Sequence, residues 1–213
     1  MRFFIELAYN GKYYHGWQIQ KGNSSSVEEK LEYCLSKLLK TSINVVGAGR
    51  TDTGVHAKQM FAHFDFEQQI NKNLIHKLNI FLPNSIHVLN IFPVKKHIHA
   101  RFHAIKRIYK YYLTCEKNPF FQDFSWFCYY PLDIKKMTQA SKFLTKYKDF
   151  SFFCKKKNKT NNNICTIYYV NWFKYNNYLC FTIEANRFLR SMVRSIIGSL
   201  IDVGRKKSVS INL

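Results

Sequence analysis

The sequence is poor in acids. Lys and Arg together number 33 against 13 Asp and Glu, a formal net charge of +20 on 213 residues. A compact body with that imbalance repels itself and draws polyanions, which here means nucleic acid or an anionic membrane surface. Three further absences favour the first. No apolar run approaches the ~18 residues of a membrane span. No basic amphipathic helix with a strong apolar face stands at a terminus. The opening M-R-F-F-I-E-L-A-Y has no small-residue cleavage site and reads as a first strand rather than a secretory leader. Nucleic acid is the partner expected, with no membrane. C-x-x-C is also missing: Cys34, Cys115, Cys128, Cys154, Cys165 and Cys180 are scattered through apolar segments. That pattern fits buried free thiols in a reducing cytoplasm, not a disulfide framework. With 46% hydrophobic residues a core is available, which argues against wholesale disorder.

The periodicities give alternating strands and helices. Residues 2–8 alternate as a strand. Ser26 with Glu29 makes a capping box ahead of Val27, Leu31, Leu35, Leu38 and Leu39 at helical spacing. Ile43, Val45 and Val46 form a short strand into a glycine-rich turn, and Met60, Ala62, Phe64 and Phe66 alternate as the next strand. Leu74, Ile75 and Leu78 predict a second helix, stopped before Pro83. Arg107–Thr114 is a β-rich run. Asp133 can cap a third helix carrying Met137, Ala140, Leu144 and Tyr147 on one face. The polar run K-K-K-N-K-T-N-N-N at 155–163 is a loop, and Asn176-Asn177 suits a tight hairpin turn between two apolar runs. A last helix is expected from near Phe188, ending at Gly204 as a C-terminal cap. The order predicts an α+β fold with two halves, 1–104 and 105–213, sharing an antiparallel sheet.

The stretch that carries chemistry is G-A-G-R-T-D-T-G-V-H-A, Gly47 to Ala57. It is not a dinucleotide fingerprint: the third glycine would fall at Asp52, and a strand rather than a helix follows. It is not a Walker A loop either, because no Gly-Lys-Ser/Thr closes it. What remains is a carboxylate between Thr51 and Thr53, beside Arg50, on a sharply bent turn. An aspartate in such a turn commonly bonds its own loop amides, so composition alone leaves structural and chemical roles both open.

Five segments together resemble the tRNA pseudouridine synthase A family. The glycine turn is similar to the family's G-R-T-D-A-G-V-H-A, with Thr53 departing. Tyr9 to Gln20, Y-N-G-K-Y-Y-H-G-W-Q-I-Q, resembles Y-D-G-x-x-Y-x-G-W-Q-x-Q, with Asn10 for Asp. L-N-I-F-L-P-N-S-I (78–86) resembles L-N-x-x-L-P-x-D-I, with Ser85 for Asp. H-A-R-F-H-A-I-K-R-I-Y-K-Y (99–111) resembles H-A-R-F-S-A-x-x-R-x-Y-x-Y. A-N-R-F-L-R-S-M-V-R-S-I-I-G-S-L (185–200) resembles A-N-x-F-L-x-x-M-V-R-x-I-V-G. They occur in family order and span nearly the whole chain.

The resemblance implies the pseudouridine synthase fold, two ferredoxin- or RRM-like α+β halves with a central basic cleft. It implies an isomerase acting on the anticodon stem-loop of tRNA, positions 38 to 40, without metal or cofactor. It places the reacting carboxylate at Asp52, as nucleophile or as base. Arg50 would contact a substrate phosphate or fill the space left in the stem. Tyr109 would stack on the target base, Arg194 would pair with Asp52, and Phe188 and Leu189 would line the pocket. Arg187, Arg190 and Arg194, at i, i+3 and i+7 of the expected last helix, would share one face, the first two as phosphate contacts. Lys155, Lys156 and Lys157 suit non-specific backbone contacts. His97, His99 and His103 have no Cys or carboxylate close in sequence, so no metal is expected; Arg101 reads as structural or RNA-facing. The family implies a cytoplasmic homodimer. Its members continue with a further helix and strand for which this chain shows no matching motif, so the expected second half is shortened and leaves a sheet edge for a partner to cover. The alternative is a tRNA-binding protein or RNA chaperone derived from the family and impaired in catalysis.

Overall fold

The computed structural model describes residues 1–20, 22, 25–71, 73–154, 162–175 and 178–207. They fall into two compact units, Met1–Ala104 and Ile105–Leu213.

In the first unit, β1 (Arg2–Tyr9) is followed by α1 (Val27–Leu39), β2 (Val46–Gly47), β3 (Ala57–Asp65), α2 (Leu74–Phe81) and β4 (Ile86–Val94). The sheet order is β2-β3-β1-β4, every pairing antiparallel. The period-two pattern of β1 buries Phe3, Ile5, Leu7 and Tyr9 on one face. There they meet Val27, Leu31, Cys34 and Leu35 of α1 and Leu74 and Leu78 of α2. Burying each large side chain contributes on the order of 1.5–3 kcal/mol before entropy is counted. Ser26 accepts the Glu29 N–H at 3.2 Å and opens α1. Asn79 ties α2 to the sheet: its amide donates to the Val88 carbonyl at 2.9 Å and its carbonyl accepts the Val88 N–H at 2.7 Å. This falls beside the register shift between β1 and β4 at Glu6/Leu7, where a side chain takes over from the ladder.

The second unit runs β5 (Arg107–Thr114), β6 (Trp126–Phe127), α3 (Ile134–Phe143), β7 (Ile167–Tyr175), β8 (Tyr178–Ala185) and α4 (Met192–Gly204). Its order is β6-β5-β8-β7, with β5 and β6 parallel and the rest antiparallel. Leu113, Trp172, Phe181 and Ile183 from the sheet pack with Met137 of α3 and Ile196, Ile197 and Leu200 of α4. Asp133 accepts the Lys136 N–H at 3.0 Å and caps α3, while its own N–H donates to the Gly204 carbonyl at 2.9 Å, joining the two helices end to end.

The α+β class read from the sequence holds, with local differences. Both edges of β5 are taken inside its own unit, by β6 and β8, so the strands form two four-stranded sheets where one shared sheet was expected. Ile43 and Val45 are buried on the approach to β2 without joining it. The third helix stops at Phe143 and continues as a 3-10 turn, Leu144–Lys146, whose tighter winding turns Tyr147 off the buried face. The last helix begins at Met192, not near Phe188, because Ser191 is left-handed (φ 62) and interrupts the helical backbone; it includes Gly204, and its C-cap is Arg205. The Asn176-Asn177 turn and Lys155, Lys156 and Lys157 lie outside the described residues.

Two substitutions test these assignments. Ser26→Ala should lower stability by about 1 kcal/mol through loss of the cap, read as an earlier denaturation midpoint at unchanged slope. Gly198 lies inside α4, where an added Cβ meets nothing within 4 Å, so Gly198→Ala should raise stability by up to ~1 kcal/mol.

Candidate active site

Two segments distant in sequence build the aspartate loop, and both belong to the first unit. The loop leaves β2 after the Ala48 N–H bonds the Phe61 carbonyl at 2.8 Å and rejoins the sheet at Ala57, opposite Tyr9. Between them Asp52 to Val55 form a turn closed by Val55 N–H to the Asp52 carbonyl at 3.2 Å, with Gly54 at φ 76. A left-handed third residue is the mark of a type II turn and calls for glycine. Thr53, second in that turn, is exposed, which explains how a β-branched residue is accommodated where the family motif has alanine.

The loop is clamped by residues 9–17. The Tyr9 hydroxyl bonds Thr51 Oγ1 at 2.9 Å. The Trp17 N–H donates to the Thr51 carbonyl at 3.2 Å, and the Gly54 N–H donates to the Tyr14 carbonyl at 3.3 Å. The Gly11 N–H donates to His56 Nδ1 at 3.1 Å, so Nδ1 is the accepting nitrogen of that ring. Glycine is required twice. A Cβ on Gly11 would sit 2.1 Å from the Val55 carbonyl oxygen, and one on Gly16, at φ 95, would sit 2.2 Å from that of Thr51. A third close approach comes from Trp17, whose ring would meet a Cβ on Gly47 at 2.5 Å. Glu28 holds that ring from the other end, accepting Trp17 Nε1–H at 3.2 Å and the Ile19 N–H at 2.8 Å.

The two departures in the supporting motifs keep their hydrogen bonds. Asn10 Oδ1 accepts the Lys12 N–H at 3.0 Å, and the Asn10 N–H donates to the Ser85 carbonyl at 2.8 Å. Ser85 Oγ shares a proton with the Tyr14 hydroxyl at 2.6 Å. Neither position needs a negative charge to do this. The result is a half-buried Asp52 on a loop whose backbone is fixed at Thr51, Gly54 and Val55 and whose His56 ring is held by Gly11, with Arg50 exposed beside it. A carboxylate held this way can attack an electrophilic carbon or accept a proton without first ordering its loop. Among the described residues no group of three or more His, Cys, Asp or Glu is arranged to hold a metal ion.

The second unit carries the remaining predicted residues. Tyr109 lies on β5 opposite Ile183, half-buried, with the Phe188 ring edge-on at 5.0 Å and 84°. Tyr111, two residues on, shares its face; burial pushes its phenol pKa up, and the nearby Arg194 guanidinium pulls the other way. Arg194 is exposed on the first turn of α4. Leu189 is buried, its N–H directed at Met192 Sδ at 3.5 Å. Arg187 and Arg190 precede α4, so the single arginine stripe expected along one helix does not exist. Arg187 is half-buried near Cys165, whose thiol pKa is raised by burial and opposed by that cation, and Arg190 is exposed.

Two positioning residues escaped the sequence reading. Asn186 ties the link before α4 to the start of β7: its Oδ1 accepts the Thr166 N–H at 2.8 Å and its N–H donates to the Thr166 carbonyl at 3.1 Å. Arg107 then donates to the Asn186 carbonyl at 2.7 Å. Both stand inside quoted motifs, as the Asn of A-N-x-F and the Arg of R-x-Y, which was the available signal.

A family model described as tRNA pseudouridine synthase matches residues 147–210. The chain is 48% identical over 207 residues to the tRNA pseudouridine synthase A of Azobacteroides pseudotrichonymphae genomovar. CFP2, covering 97% of this chain and 83% of that protein. It is 46% identical over 210 residues to that of Bacteroides fragilis, covering 97% and 82%, and 47% identical over 210 residues to that of Bacteroides thetaiotaomicron, covering 97% and 78%.

The clamp predicts that Gly16→Ala displaces the Thr51 carbonyl and costs about 2 kcal/mol or more, from backbone strain plus a lost hydrogen bond. Thermal unfolding should show the loss, and amide exchange of the Trp17 N–H should rise with it.

Proposed function

The chain belongs to the tRNA pseudouridine synthase A family and is an isomerase, and from that premise we propose that it converts uridine to pseudouridine just 3′ of the tRNA anticodon, with Asp52 as the reacting carboxylate. The observation that carries the reading is the clamp. Three backbone–backbone hydrogen bonds, a fourth from the Gly11 N–H to the His56 ring, and two obligatory glycines hold a single half-buried carboxylate, an arrangement whose rigidity a solvated turn aspartate would not need.

The reaction breaks the bond between the uracil ring nitrogen and the sugar, turns the ring over, and joins a ring carbon to the same sugar carbon. The proton leaving that ring carbon is balanced by one gained at the freed nitrogen. The Asp52 carboxylate serves either as the nucleophile that holds the sugar carbon or as the base that takes the ring proton. Extruding the base costs a few kcal/mol. Tyr109 offsets part of that by stacking, worth about 1–3 kcal/mol per base, and the edge-on Phe188 fixes the plane of its ring. Leu189 closes the apolar wall. Arg50 supplies a cation for a substrate phosphate, Arg194 is the cation that the family resemblance pairs with Asp52, and Arg187 and Arg190 add backbone contacts.

The working species is a cytoplasmic homodimer in this reading. The sheet face of the second unit that carries no helix is aromatic: Tyr112, Phe173, Tyr175 and Tyr178 run across it with Phe121, ring to ring at 5.5–6.4 Å. Such a face fits a second copy of the chain better than a polyanion.

Pseudouridine mapping on unmodified tRNA tests the proposal. The wild-type chain should modify the 3′ side of the anticodon arm, and Asp52→Ala should form no product while binding tRNA within a few-fold of wild type. Binding that persists in both proteins without any pseudouridine would overturn the reading. Affinity should fall steeply with salt, with a slope of about −0.7 to −0.9 per phosphate neutralised, and a flat response would remove the electrostatic part of the argument.

A further inference from the structure

Residues 68–115 contain no aspartate or glutamate. Near the middle of that stretch, three successive backbone amides are each received by an imidazole. The His99 N–H donates to His103 Nδ1 at 3.0 Å, the Ala100 N–H to His63 Nδ1 at 3.3 Å, and the Arg101 N–H to His99 Nδ1 at 3.1 Å. A backbone N–H can only donate, so each Nδ1 carries a lone pair and all three rings are neutral. Protonation of any one of them would set a donor against a donor.

The surroundings enforce neutrality at the deepest ring. His63, on β3, is 4% exposed. Burial first, then the Arg2 guanidinium and the neighbouring His99 ring, lower its pKa to about 4, against smaller opposition from Asp65 and a hydrogen bond with the Val46 backbone. The His99 ring lies 4.6 Å from it, its pKa lowered by burial and by Arg2, His103 and Arg101. From β1, Phe4 stacks on His63 at 6.1 Å. Arg2, paired with Asp65 at 2.8 Å, donates to the Ile98 carbonyl at 3.1 Å and anchors the same segment.

This anchoring presents two side chains to solvent. Phe102 is 74% exposed, with the His99 ring at 4.3 Å behind it and the Arg101 guanidinium 5.7 Å from its centroid. An exposed aromatic beside an arginine, on an acid-free stretch, offers a base a π-face and a phosphate a cation.

We propose that Arg101 and Phe102 form an RNA contact for an unpaired base and its phosphate, and that His63, His99 and His103 are positioning residues that hold this contact while neutral, so that acid weakens RNA binding. The proposal rests on the reading that the substrate is tRNA. The sign follows from His63: its value in the docked segment lies below the ordinary 6.5, so docking is at full strength above pH 6.5 and weakens as pH falls toward about 4. Simple electrostatics gives the opposite sign, since protonating histidines on a basic protein strengthens its attraction to phosphate.

The test is tRNA affinity of the full chain at constant salt, at pH 7.5 and 5.5, for wild type and Phe102→Ala, with amide exchange of His99, Ala100 and Arg101 at both pH values. At pH 7.5 the variant should bind about tenfold more weakly. Wild type should lose affinity on acidification while the variant does not, and the three amides should exchange faster at pH 5.5 than the intrinsic rate change allows. Arg101→Gln should behave as Phe102→Ala does. Equal affinity of wild type and Phe102→Ala, or acid-tightened binding by wild type, would overturn the proposal. Failure to form pseudouridine with Phe102-dependent binding intact would instead overturn only the catalytic reading, and an altered oligomeric state of Phe102→Ala with unchanged tRNA affinity would reassign the patch to protein contact.

Discussion

The approach of the Gly16 backbone to the Thr51 carbonyl is the constraint on which the first unit's chemistry depends. At φ 95, and with the Thr51 carbonyl oxygen 2.2 Å from where a Cβ would stand, Gly16 lets the chain after β1 lie directly against the aspartate loop. The Trp17 N–H then bonds Thr51, and the Trp17 ring comes down over Gly47. The Gly16 carbonyl accepts the Val27 N–H at 3.3 Å, and the Trp17 carbonyl accepts the Glu28 N–H at 3.0 Å, so the first turn of α1 is attached to the same two residues. Loop, linker and helix therefore share one set of hydrogen bonds, and a shift in any of them reaches Asp52.

The second unit solves a related problem with side chains. Its link between β8 and α4 must break helical geometry at Ser191 to keep Phe188 against Tyr109. A left-handed non-glycine residue costs on the order of 1 kcal/mol or more. Asn186 and Arg107 secure the link upstream, and Leu189 and Met192, both buried, secure it downstream. The flanking contacts hold that strain in place and keep the Phe188 ring edge-on to Tyr109.

What could be read from the sequence divides by the range of the interaction. Local signals were legible: the Ser26 and Asp133 caps, the β1 alternation, the run Arg107–Thr114 and the stop before Pro83 all reflect contacts within a few residues. The aspartate turn was legible as a glycine-dependent bend. Its clamp was not, since nothing local reveals that Tyr9, Gly11 and Trp17 meet residues 51–56; the motifs implied their importance without the geometry. The start of α4 was misread because the apolar spacing continues through Leu189 while one dihedral angle at Ser191 ends the helix. The histidines were first weighed as metal ligands. Of these, His99 and His103 direct their Nδ1 lone pairs at backbone amides, a use that ligand spacing cannot distinguish.

The scarcity of acids acquires a structural meaning once their partners are known. Glu28 accepts Trp17 Nε1–H and the Ile19 N–H, Glu32 the Val45 N–H, Asp133 the Lys136 N–H and Asp149 the Ser151 N–H. These carboxylates are committed to backbone and indole donors rather than to neutralising cations. Arg2–Asp65 and Lys106–Glu184 are true ion pairs, yet 33 basic residues face 13 acids in all. Accepting a neutral N–H leaves each carboxylate its charge, so the positive field is that of the whole excess, +20. Self-repulsion of that field destabilises the isolated protein, and a polyanion relieves it. Several of the few acids thus hold turns and helix starts in place, while others pair with Arg2 and Lys106.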